Sequence, residues 1–378
     1  MKRKFDHQIL LLQGGGALGA YQAGVYEGLM EAGVAPTWVV GISIGAINAA
    51  LIAGNPPEQR VKQLRAFWNR VSSYDPITYP FASDAMRSIL NQISAGYVMG
   101  FGVPGFFKPR IPMACFVSNK TPGEVSIYDT SPLRTTIEEL VDFDLINSRE
   151  VRLSLGTAHV RTGNSVYFDN RYTHLGPDHV LASGALPPGF PPVNIDGEYY
   201  WDGGVVSNTP MTYVVDQKPL TSALIIQVDI FNARGELPRN LDQVQERAKD
   251  IQYASRTRLN VNQVKTIGEL QAAAGRLIKK LPPGLKSDPD IQFLAPFCRE
   301  RDWVIGMLLH RRRPPSSSTK DYEFSRATVN ELWAAGLEDI RHANDTLDSI
   351  QPVTIAPGIR VYDLTQANTP SDVEVHHK

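Results

Sequence analysis

The sequence contains one Gly-X-Ser-X-Gly pattern, GISIG at residues 41–45, between an apolar run and a helix-forming segment. Flanking glycines let a serine stand clear of the backbone on a sharp turn between a strand and a helix. The N-terminus of the following helix also stabilises a developing alkoxide. The pattern therefore predicts Ser43 as a nucleophile, with a tight turn that ends in a helix-capping serine as the alternative.

A second glycine-rich segment, GGGALG at residues 14–19, precedes another predicted helix. Successive backbone N–H groups in such a turn bind anions. A dinucleotide-binding loop needs an acidic residue near the end of the second strand, but residues 36–40 read PTWVV and contain none. A P-loop needs Gly-Lys-Ser/Thr, which does not follow these glycines. Both of these phosphate-binding motifs are therefore excluded. Two interpretations remain: an oxyanion hole for an intermediate formed at Ser43, or a plain strand-to-helix turn.

The third candidate is Asp202, in the sequence WDGG at residues 201–204. A buried carboxylate near Ser43 would serve as a general base. Asp-Gly is also a common dipeptide of hairpin turns. The residues alone favour neither interpretation over the other.

The elements that position these motifs follow from apolar patterning. Residues 8–12 and 38–40 predict short buried strands, and residues 17–32 and 44–53 predict helices, the first ending at Gly33. Strand, glycine turn and helix, repeated twice in quick succession, are typical of a parallel α/β sheet.

The rest of the chain has weaker patterns. Residues 74–112, rich in glycine, proline and aromatic residues, predict either a cap over an apolar pocket or an irregular loop that covers the core. Residues 182–210 are dense in turn residues and are not expected to be regular throughout. Further strands are predicted at 113–118, 151–158, 165–168, 223–231 and 303–309, and further helices at 58–72, 240–280 and 325–344.

Composition excludes several classes of protein. The formal net charge of −1 gives no reason to expect a nucleic acid partner, and we interpret the basic run at residues 310–313 as a solvated loop edge. The two cysteines, Cys115 and Cys298, form neither a disulfide framework nor a zinc motif, and calcium-binding spacing is absent. The apolar run after the basic N-terminus is too short for a signal peptide, and no run is long enough to span a bilayer. We expect a cytoplasmic protein without metal or cofactor that can contact lipid surfaces peripherally.

Taken together and in this order, the three motifs resemble those of the patatin-like phospholipase family. The resemblance extends to the flanking segments GALGAYQAGVYEGL, GISIGAINAALIAG, ASGALPPGFPPV and DGEYYWDGGVVSNTP and covers about residues 8–232. It implies a three-layer α/β/α fold with a mostly parallel central sheet, in which residues 1–232 form the catalytic domain. Residues 233–378 would form a mainly helical C-terminal extension packed on it, because FSRATVNELWAAG (324–336) resembles a bacterial subgroup with such an extension.

The resemblance also implies roles for individual residues. Ser43 would be the nucleophile and Asp202 the base of a Ser–Asp dyad, in a serine hydrolase that cleaves lipid acyl esters through an acyl-enzyme. The oxyanion hole would consist of backbone N–H groups of Gly14, Gly15 and Gly16. The remaining motif glycines are Gly19, Gly41, Gly45, Gly203 and Gly204.

One residue departs from the family pattern. Many members have arginine or lysine where this chain has Leu18, so oxyanion stabilisation would depend on backbone dipoles and the helix terminus. The sequence does not choose between phospholipid, lysophospholipid, neutral glyceride and storage polyester as substrate.

Three alternatives stay open. A histidine triad is disfavoured because His159, His174 and His179 precede Asp202, whereas the α/β-hydrolase order is serine, acid, histidine. The histidines after Asp202 are His310, His342, His376 and His377, and a structural or surface role is expected for each. An acyltransferase would pass the acyl group to an alcohol or thiol through the same dyad. A non-catalytic module would use the pocket to bind lipid or protein.

Overall fold

The computed structural model describes residues 5–72, 84–112, 121–217, 221–298, 301–311, 319–352 and 358–365. The strands are β1 (His7–Leu12), β2 (Trp38–Ile42), β3 (Lys108–Pro109), β4 (Tyr128–Asp129), β5 (Arg152–His159), β6 (Ser165–Asp169), β7 (Val193–Ile195), β8 (Glu198–Asp202), β9 (Ser222–Asp229), β10 (Asp302–Leu309) and β11 (Ile359–Asp363). The helices are α1 (Gly19–Glu31), α2 (Ile44–Ala53), α3 (Arg60–Val71), α4 (Asp84–Phe101), α5 (Ser131–Leu140), α6 (Phe143–Ser148), α7 (Pro177–Ser183), α8 (Met211–Asp216), α9 (Leu241–Lys280), α10 (Pro289–Leu294) and α11 (Arg326–Ser349).

A nine-stranded sheet forms the centre of the protein. Its order is β11-β10-β9-β1-β2-β5-β8-β7, with β6 also paired to β5. Neighbours from β11 to β5 are parallel, whereas β6, β8 and β7 are added antiparallel. Strands β3 and β4 form a separate antiparallel ribbon.

The buried strands feed two cores because successive side chains of a strand point to opposite faces of the sheet. Leu10 and Leu12 of β1 belong to the larger core, which also contains side chains of α1, α2 and α11. Ile9 and Leu11 belong to the smaller core, together with side chains of α8 and α9. Helices therefore cover both faces, and the predicted three-layer α/β/α fold with a mostly parallel sheet is confirmed.

Residues 74–112 contain a helix that the sequence pattern did not show. The irregular-loop alternative is wrong over α4, where Ala95 and Val98 are buried against the core. Gly96 and Gly100 weaken the helical pattern of this segment in the sequence. In the structure, a Cβ at either position would have nothing within 4 Å, so neither glycine is required by a close contact. They cost the helix only their intrinsic propensity, about 1 kcal/mol each, which the buried face offsets.

Some predictions fall outside the described residues. These are the strand at 113–118 with Cys115, the end of the basic run (Arg312 and Arg313), and the two last histidines, His376 and His377. Within the described part of the chain, no helix combines the length and apolar character needed to cross a membrane.

Residues 233–378 contribute to the same sheet and layers. The predicted strand at 303–309 is β10, and it pairs with β9 on one side and with β11, which the sequence did not predict, on the other. Helix α11 begins after the capping residue Ser325 and packs along α1. The boundary at residue 232 stays a prediction.

The packing of α1 on α11 depends on two glycines. A Cβ at Gly24 would lie 1.9 Å from the carbonyl oxygen of Trp333, and one at Gly336 would lie 2.1 Å from that of Tyr21. Both neighbours are backbone atoms, so the helices would have to separate to make room.

We predict that Gly24→Ala lowers the free energy of unfolding by about 1–3 kcal/mol, because the added methyl group overpacks the contact between α1 and α11. Urea denaturation measures this change. Gly96→Ala is the matched control, since it is also inside a helix but has nothing within 4 Å. It should stabilise the protein by about 0.5–1 kcal/mol, and equal effects of the two substitutions would contradict the packing described here.

Candidate active site

Ser43 occupies a strained turn between β2 and α2. Its φ of 57° and ψ of −126° lie in a region that non-glycine residues rarely adopt, and its side chain makes no capping hydrogen bond to α2. The capping-serine alternative is therefore wrong. A Cβ at Gly41 would lie 2.2 Å from the carbonyl oxygen of Gly45, and one at Gly45 would lie 2.4 Å from that of Leu12. These two glycines permit the close approach that the turn requires.

Asp202 reaches Ser43 because of how β5 is paired. On one edge, β5 pairs with β2 from Arg152 to Gly156, and Ile42 lies opposite Gly156. Strand β6 occupies the other edge, so β8 continues the β2 edge and Asp202 lies opposite Thr157. The end of β2 and the end of β8 thus meet at consecutive residues of a single strand. This register brings Asp202 beside Ser43, which directly follows Ile42.

The Asp-Gly dipeptide at residues 202–203 is not a hairpin turn. The hairpin between β7 and β8 is instead made by Asp196 and Gly197, whose φ values of 52° and 87° suit a tight turn. Asp202 ends β8, and its side chain accepts a hydrogen bond from the N–H of Gly204 at 2.7 Å. The hairpin alternative for Asp202 is wrong.

The Asp202 carboxylate is almost completely removed from water. The residue is 1% exposed; its carboxylate accepts a hydrogen bond from the Gly204 N–H and interacts with the Ser43 hydroxyl. Burial raises its pKa to about 6, against the smaller lowering effect of these two groups. The group is ionised at neutral pH but is a stronger base than a solvated carboxylate.

The glycine loop, Gly14 to Gly16, lines the same cavity as Ser43 and Asp202. Within the described residues, no acceptor is bonded to the N–H of Gly14, Gly15 or Gly16. A Cβ at Gly14 would lie 2.9 Å from the Cβ of Ser43, so the loop and the serine are in contact. The carbonyl oxygen of Gly14 accepts from Asn208 Nδ2 at 2.9 Å.

Gln13, which sequence analysis missed, anchors the start of the loop. Its side-chain oxygen accepts from the N–H groups of Ile230 and Phe231, at 2.8 and 3.2 Å. Its side-chain nitrogen donates to the Tyr253 carbonyl in α9 at 3.1 Å, and its own carbonyl accepts from Gln22 at 2.6 Å. No sequence signal singles out a glutamine beside a run of glycines, because its partners are distant in the chain.

The remaining motif glycines also sit at close contacts. A Cβ at Gly19 would lie 2.6 Å from Ile44, and one at Gly203 would lie 2.6 Å from the carbonyl oxygen of Gly156. A Cβ at Gly204 would lie 3.0 Å from Asn208, a milder contact. All the sequence-predicted site residues therefore lie in one place or pack directly behind it.

A cavity of about 300 Å³ opens beside these groups. Ser43, Asp202 and the glycine loop form its polar end, and aromatic and aliphatic side chains form most of the rest. The apolar lining consists mainly of Ile44, Ile47, Met99, Phe106, Phe107, Ile127, Tyr128, Leu186, Phe190, Phe231, Tyr253, Tyr322 and Phe324. Such a lining suits a hydrocarbon chain whose one polar group lies at Ser43.

The C-terminal region supplies part of this wall. Tyr253 of α9 and Tyr322 and Phe324 of the segment before α11 line the cavity. The turn that carries Tyr322 is held to α9 by ion pairs, 2.7 Å between Lys249 and Asp321 and 2.6 Å between Lys320 and Asp250. The cavity is therefore incomplete without residues beyond 232.

The histidines lie elsewhere. His159 contacts Glu198 at 3.3 Å, His179 caps α7 through Gly176, and the ring of His310 packs at a tilt against that of Tyr21, with centroids 4.8 Å apart. Of the residues that the structure describes, no histidine lines the cavity, and no cluster of three His, Cys, Asp or Glu side chains is placed to hold a metal ion.

Comparison with protein families places this site in context. A family model described as patatin-like phospholipase matches residues 10–215, and a second, described as patatin phospholipase, matches residues 251–353. The chain belongs to the patatin-like phospholipase family. Membership in that family supports lipid hydrolysis as the general function of this patatin-like protein.

Comparisons with individual proteins add little to this assignment. VipD from Legionella pneumophila is a similar solved structure, with 16% sequence identity and a TM-score of 0.40 over 91% of this chain and 68% of VipD. No curated protein sequence matches the chain.

The buried carboxylate of this patatin-like protein predicts a dependence of stability on pH. The pKa of Asp202 is raised from 3.8 to about 6 on folding. Protonated Asp202 therefore favours the folded state, and this contribution is lost as the pH rises through about 6.

We predict that Asp202→Asn is more stable than the wild type by about 3 kcal/mol at pH 8 and by about half of that at pH 5. Asparagine keeps the acceptor oxygen without the desolvated charge. Urea denaturation across this pH range measures the difference. Asp144→Asn, at an exposed position of α6, is the control and should change stability by only a few tenths of a kcal/mol. A destabilised Asp202→Asn at pH 8 would contradict the account.

Proposed function

We propose that this protein is a serine acyl-ester hydrolase of lipids that acts through a Ser43–Asp202 dyad. The observation that carries the proposal is the placement of the Ser43 hydroxyl beside a desolvated Asp202 carboxylate, at the same cavity as glycine N–H groups that have no acceptor among the described residues. Each of the required groups, nucleophile, base and oxyanion donors, borders one apolar cavity.

The first half of the reaction forms the acyl-enzyme. Asp202 takes the proton of the Ser43 hydroxyl as the oxygen attacks the ester carbonyl. Negative charge develops on the carbonyl oxygen, and the N–H groups of Gly14 to Gly16 donate to it. One such donor lowers the barrier by about 3 kcal/mol. The alcohol then leaves with the proton from Asp202, and the acyl group stays on Ser43.

The second half repeats the same steps with water. Asp202 accepts a proton from a water molecule, which attacks the acyl-enzyme, and then returns the proton to Ser43 as the fatty acid leaves. A carboxylate with an ordinary pKa is a weak base for this purpose. The burial that raises the pKa of Asp202 to about 6 brings the base closer to neutral pH.

Strain at Ser43 supports the same interpretation. A non-glycine residue in this backbone region costs on the order of 1–3 kcal/mol and persists where the surrounding structure enforces it. Here the enforcing contacts are the close approaches at Gly41 and Gly45. They hold Ser43 at the cavity, with its side chain making no capping hydrogen bond to α2.

We predict that Ser43→Ala abolishes hydrolysis of a p-nitrophenyl ester and that Asp202→Asn lowers kcat/KM by about 10²–10⁴-fold. For the wild type, kcat/KM should fall about tenfold per unit below pH 6, because protonated Asp202 cannot accept the serine proton. Initial rates from pH 4.5 to pH 8, analysed together with product identity, measure both effects.

His159→Ala and His310→Ala are the controls for a histidine triad and should keep wild-type rates. Full activity in Ser43→Ala or Asp202→Asn, or loss of activity in either histidine variant, would contradict the proposed Ser43–Asp202 dyad. If added alcohol becomes acylated in preference to hydrolysis, the protein is an acyltransferase.

We predict that Gln13 acts as a positioning residue for the glycine loop. Gln13→Leu removes the bonds to Ile230, Phe231 and Tyr253, so kcat should fall by about 10–10² while KM changes little. Binding of a trifluoromethyl ketone, which mimics the tetrahedral intermediate, should weaken in parallel with kcat. Binding of an uncleavable ether analogue should not change.

Gln245→Leu is the matched control, because Gln245 is an exposed residue of α9. If Gln13→Leu weakens both ligands equally, the residue maintains the cavity as a whole and does not position the loop.

A further inference from the structure

Helix α4 exposes an apolar stripe. Ile93, Tyr97 and Phe101 recur every four residues, so they lie on one face of the helix, and they are 63%, 58% and 70% exposed. Tyr97 and Phe101 stack with ring centroids 4.7 Å apart. The opposite face of α4 is buried through Ala95 and Val98.

The ribbon of β3 and β4 extends this surface. Ile111 is 94% exposed and Ile127 is 48% exposed. The N–H of Arg110, the residue before Ile111, donates to the Ile127 carbonyl at 3.1 Å. The hydroxyl of Tyr128 donates to the Met99 carbonyl at 2.8 Å and so ties the ribbon to α4. We name this surface the mouth patch: Ile93, Tyr97, Met99, Phe101, Ile111 and Ile127.

The mouth patch is continuous with the cavity. Met99 and Ile127 are about half exposed and also line the cavity wall. A hydrocarbon chain that lies on the patch can therefore enter the cavity past these two side chains without passing through water. Exposed apolar groups collected at the entrance of a cavity mark an interaction surface, whereas scattered ones need no explanation.

Charged residues border the patch on both strands of the ribbon. Residues 88–112 contain Lys108 and Arg110 and no aspartate or glutamate, whereas residues 121–129 contain Glu124 and Asp129 and no lysine or arginine. Lys108 is largely exposed and makes a 3.4 Å contact with Asp129. The Arg110 guanidinium donates to Ser126 Oγ and to the carbonyl oxygens of Gly123 and Tyr128, which carry no formal charge to balance it. Arg110 thus places at the margin of the apolar face a positive charge that can contact an anionic lipid head group.

We propose that the mouth patch docks this protein on phospholipid surfaces that contain anionic lipids and delivers lipid from the surface to the cavity. The proposal rests on the proposed function, since it assigns the entrance of the same site. A second exposed apolar group, which includes Leu277 of α9 and Phe293 of α10, borders no part of the cavity within the described residues. It provides matched controls.

The test measures vesicle binding of the full chain in a Ser43→Ala background, so that docking is separated from turnover. The variant Tyr97→Ser/Phe101→Ser/Ile111→Ser should bind vesicles of phosphatidylcholine with phosphatidylglycerol at least about tenfold more weakly, because it removes several apolar contacts with the acyl chains. Leu277→Ser/Phe293→Ser should bind like its parent. Vesicles of phosphatidylcholine alone should bind the parent more weakly than the mixed vesicles.

In the active protein, the same triple substitution should leave kcat/KM for water-soluble p-nitrophenyl butyrate unchanged, because none of the three residues lines the cavity. Hydrolysis of vesicle lipid should fall with binding. Unchanged vesicle binding in the triple variant, equal loss in the control, or indifference to phosphatidylglycerol would overturn the proposal.

Size-exclusion chromatography tests whether the mouth patch instead binds a second copy of this chain. Conversion of a dimer to a monomer by the triple substitution, with vesicle binding retained, would assign the patch to self-association and overturn the lipid proposal. If wild-type protein binds vesicles through the patch but hydrolyses no ester, docking stands and the proposed function fails.

Discussion

The site depends on one interaction, between the hydroxyl of Ser43 and a carboxylate that folding removes from water. Desolvation raises the pKa of Asp202 to about 6 and makes ionisation costly, while the interactions with Ser43 and Gly204 partly offset that cost. The pair exists because β5 supplies one continuous edge to two strands, parallel to β2 and antiparallel to β8. A change in the register of β8 by one residue would turn Asp202 to the other face of the sheet.

The glycine loop is organised by the groups behind it. Buried amides of Asn208 and Gln22 donate to the carbonyl oxygens of Gly14 and Gln13, and no described residue accepts from the N–H groups of Gly14 to Gly16. In the proposed mechanism these N–H groups are fixed donors that need no reorganisation when charge develops, which is the main advantage of an oxyanion hole. Leu18 provides no fixed cation here, so in that mechanism the loop acts through backbone dipoles. The C-terminal region takes part as well, through Gln13's bond to α9 and through the side chains that complete the cavity wall.

Local pattern sufficed for the elements around the motifs. Ser43 and the helix at 44–53 could be placed because strand, glycine turn and helix follow each other within a few residues. The pairing of Asp202 with Thr157 could not be predicted from local pattern, because it joins segments that are distant in the chain and because Asp-Gly equally suits a hairpin. Gln13, Tyr253 and Tyr322 were missed for the same reason: their roles come from contacts across more than two hundred residues or from the shape of the cavity. Helix α4 was missed because Gly96 and Gly100 argue against a helix in the sequence. They face open space in the structure and therefore do not affect the packing of the buried face of α4.

A crystal structure of the protein after reaction with a long-chain alkyl fluorophosphonate tests the central claim most directly. The account predicts phosphorus bonded to Ser43 Oγ, with Asp202 beside that oxygen and the phosphoryl oxygen about 3 Å from N–H groups of Gly14 to Gly16. The alkyl chain should lie along the apolar cavity. An adduct on another residue, or an adduct on Ser43 whose phosphoryl oxygen faces away from the glycine loop, would contradict it.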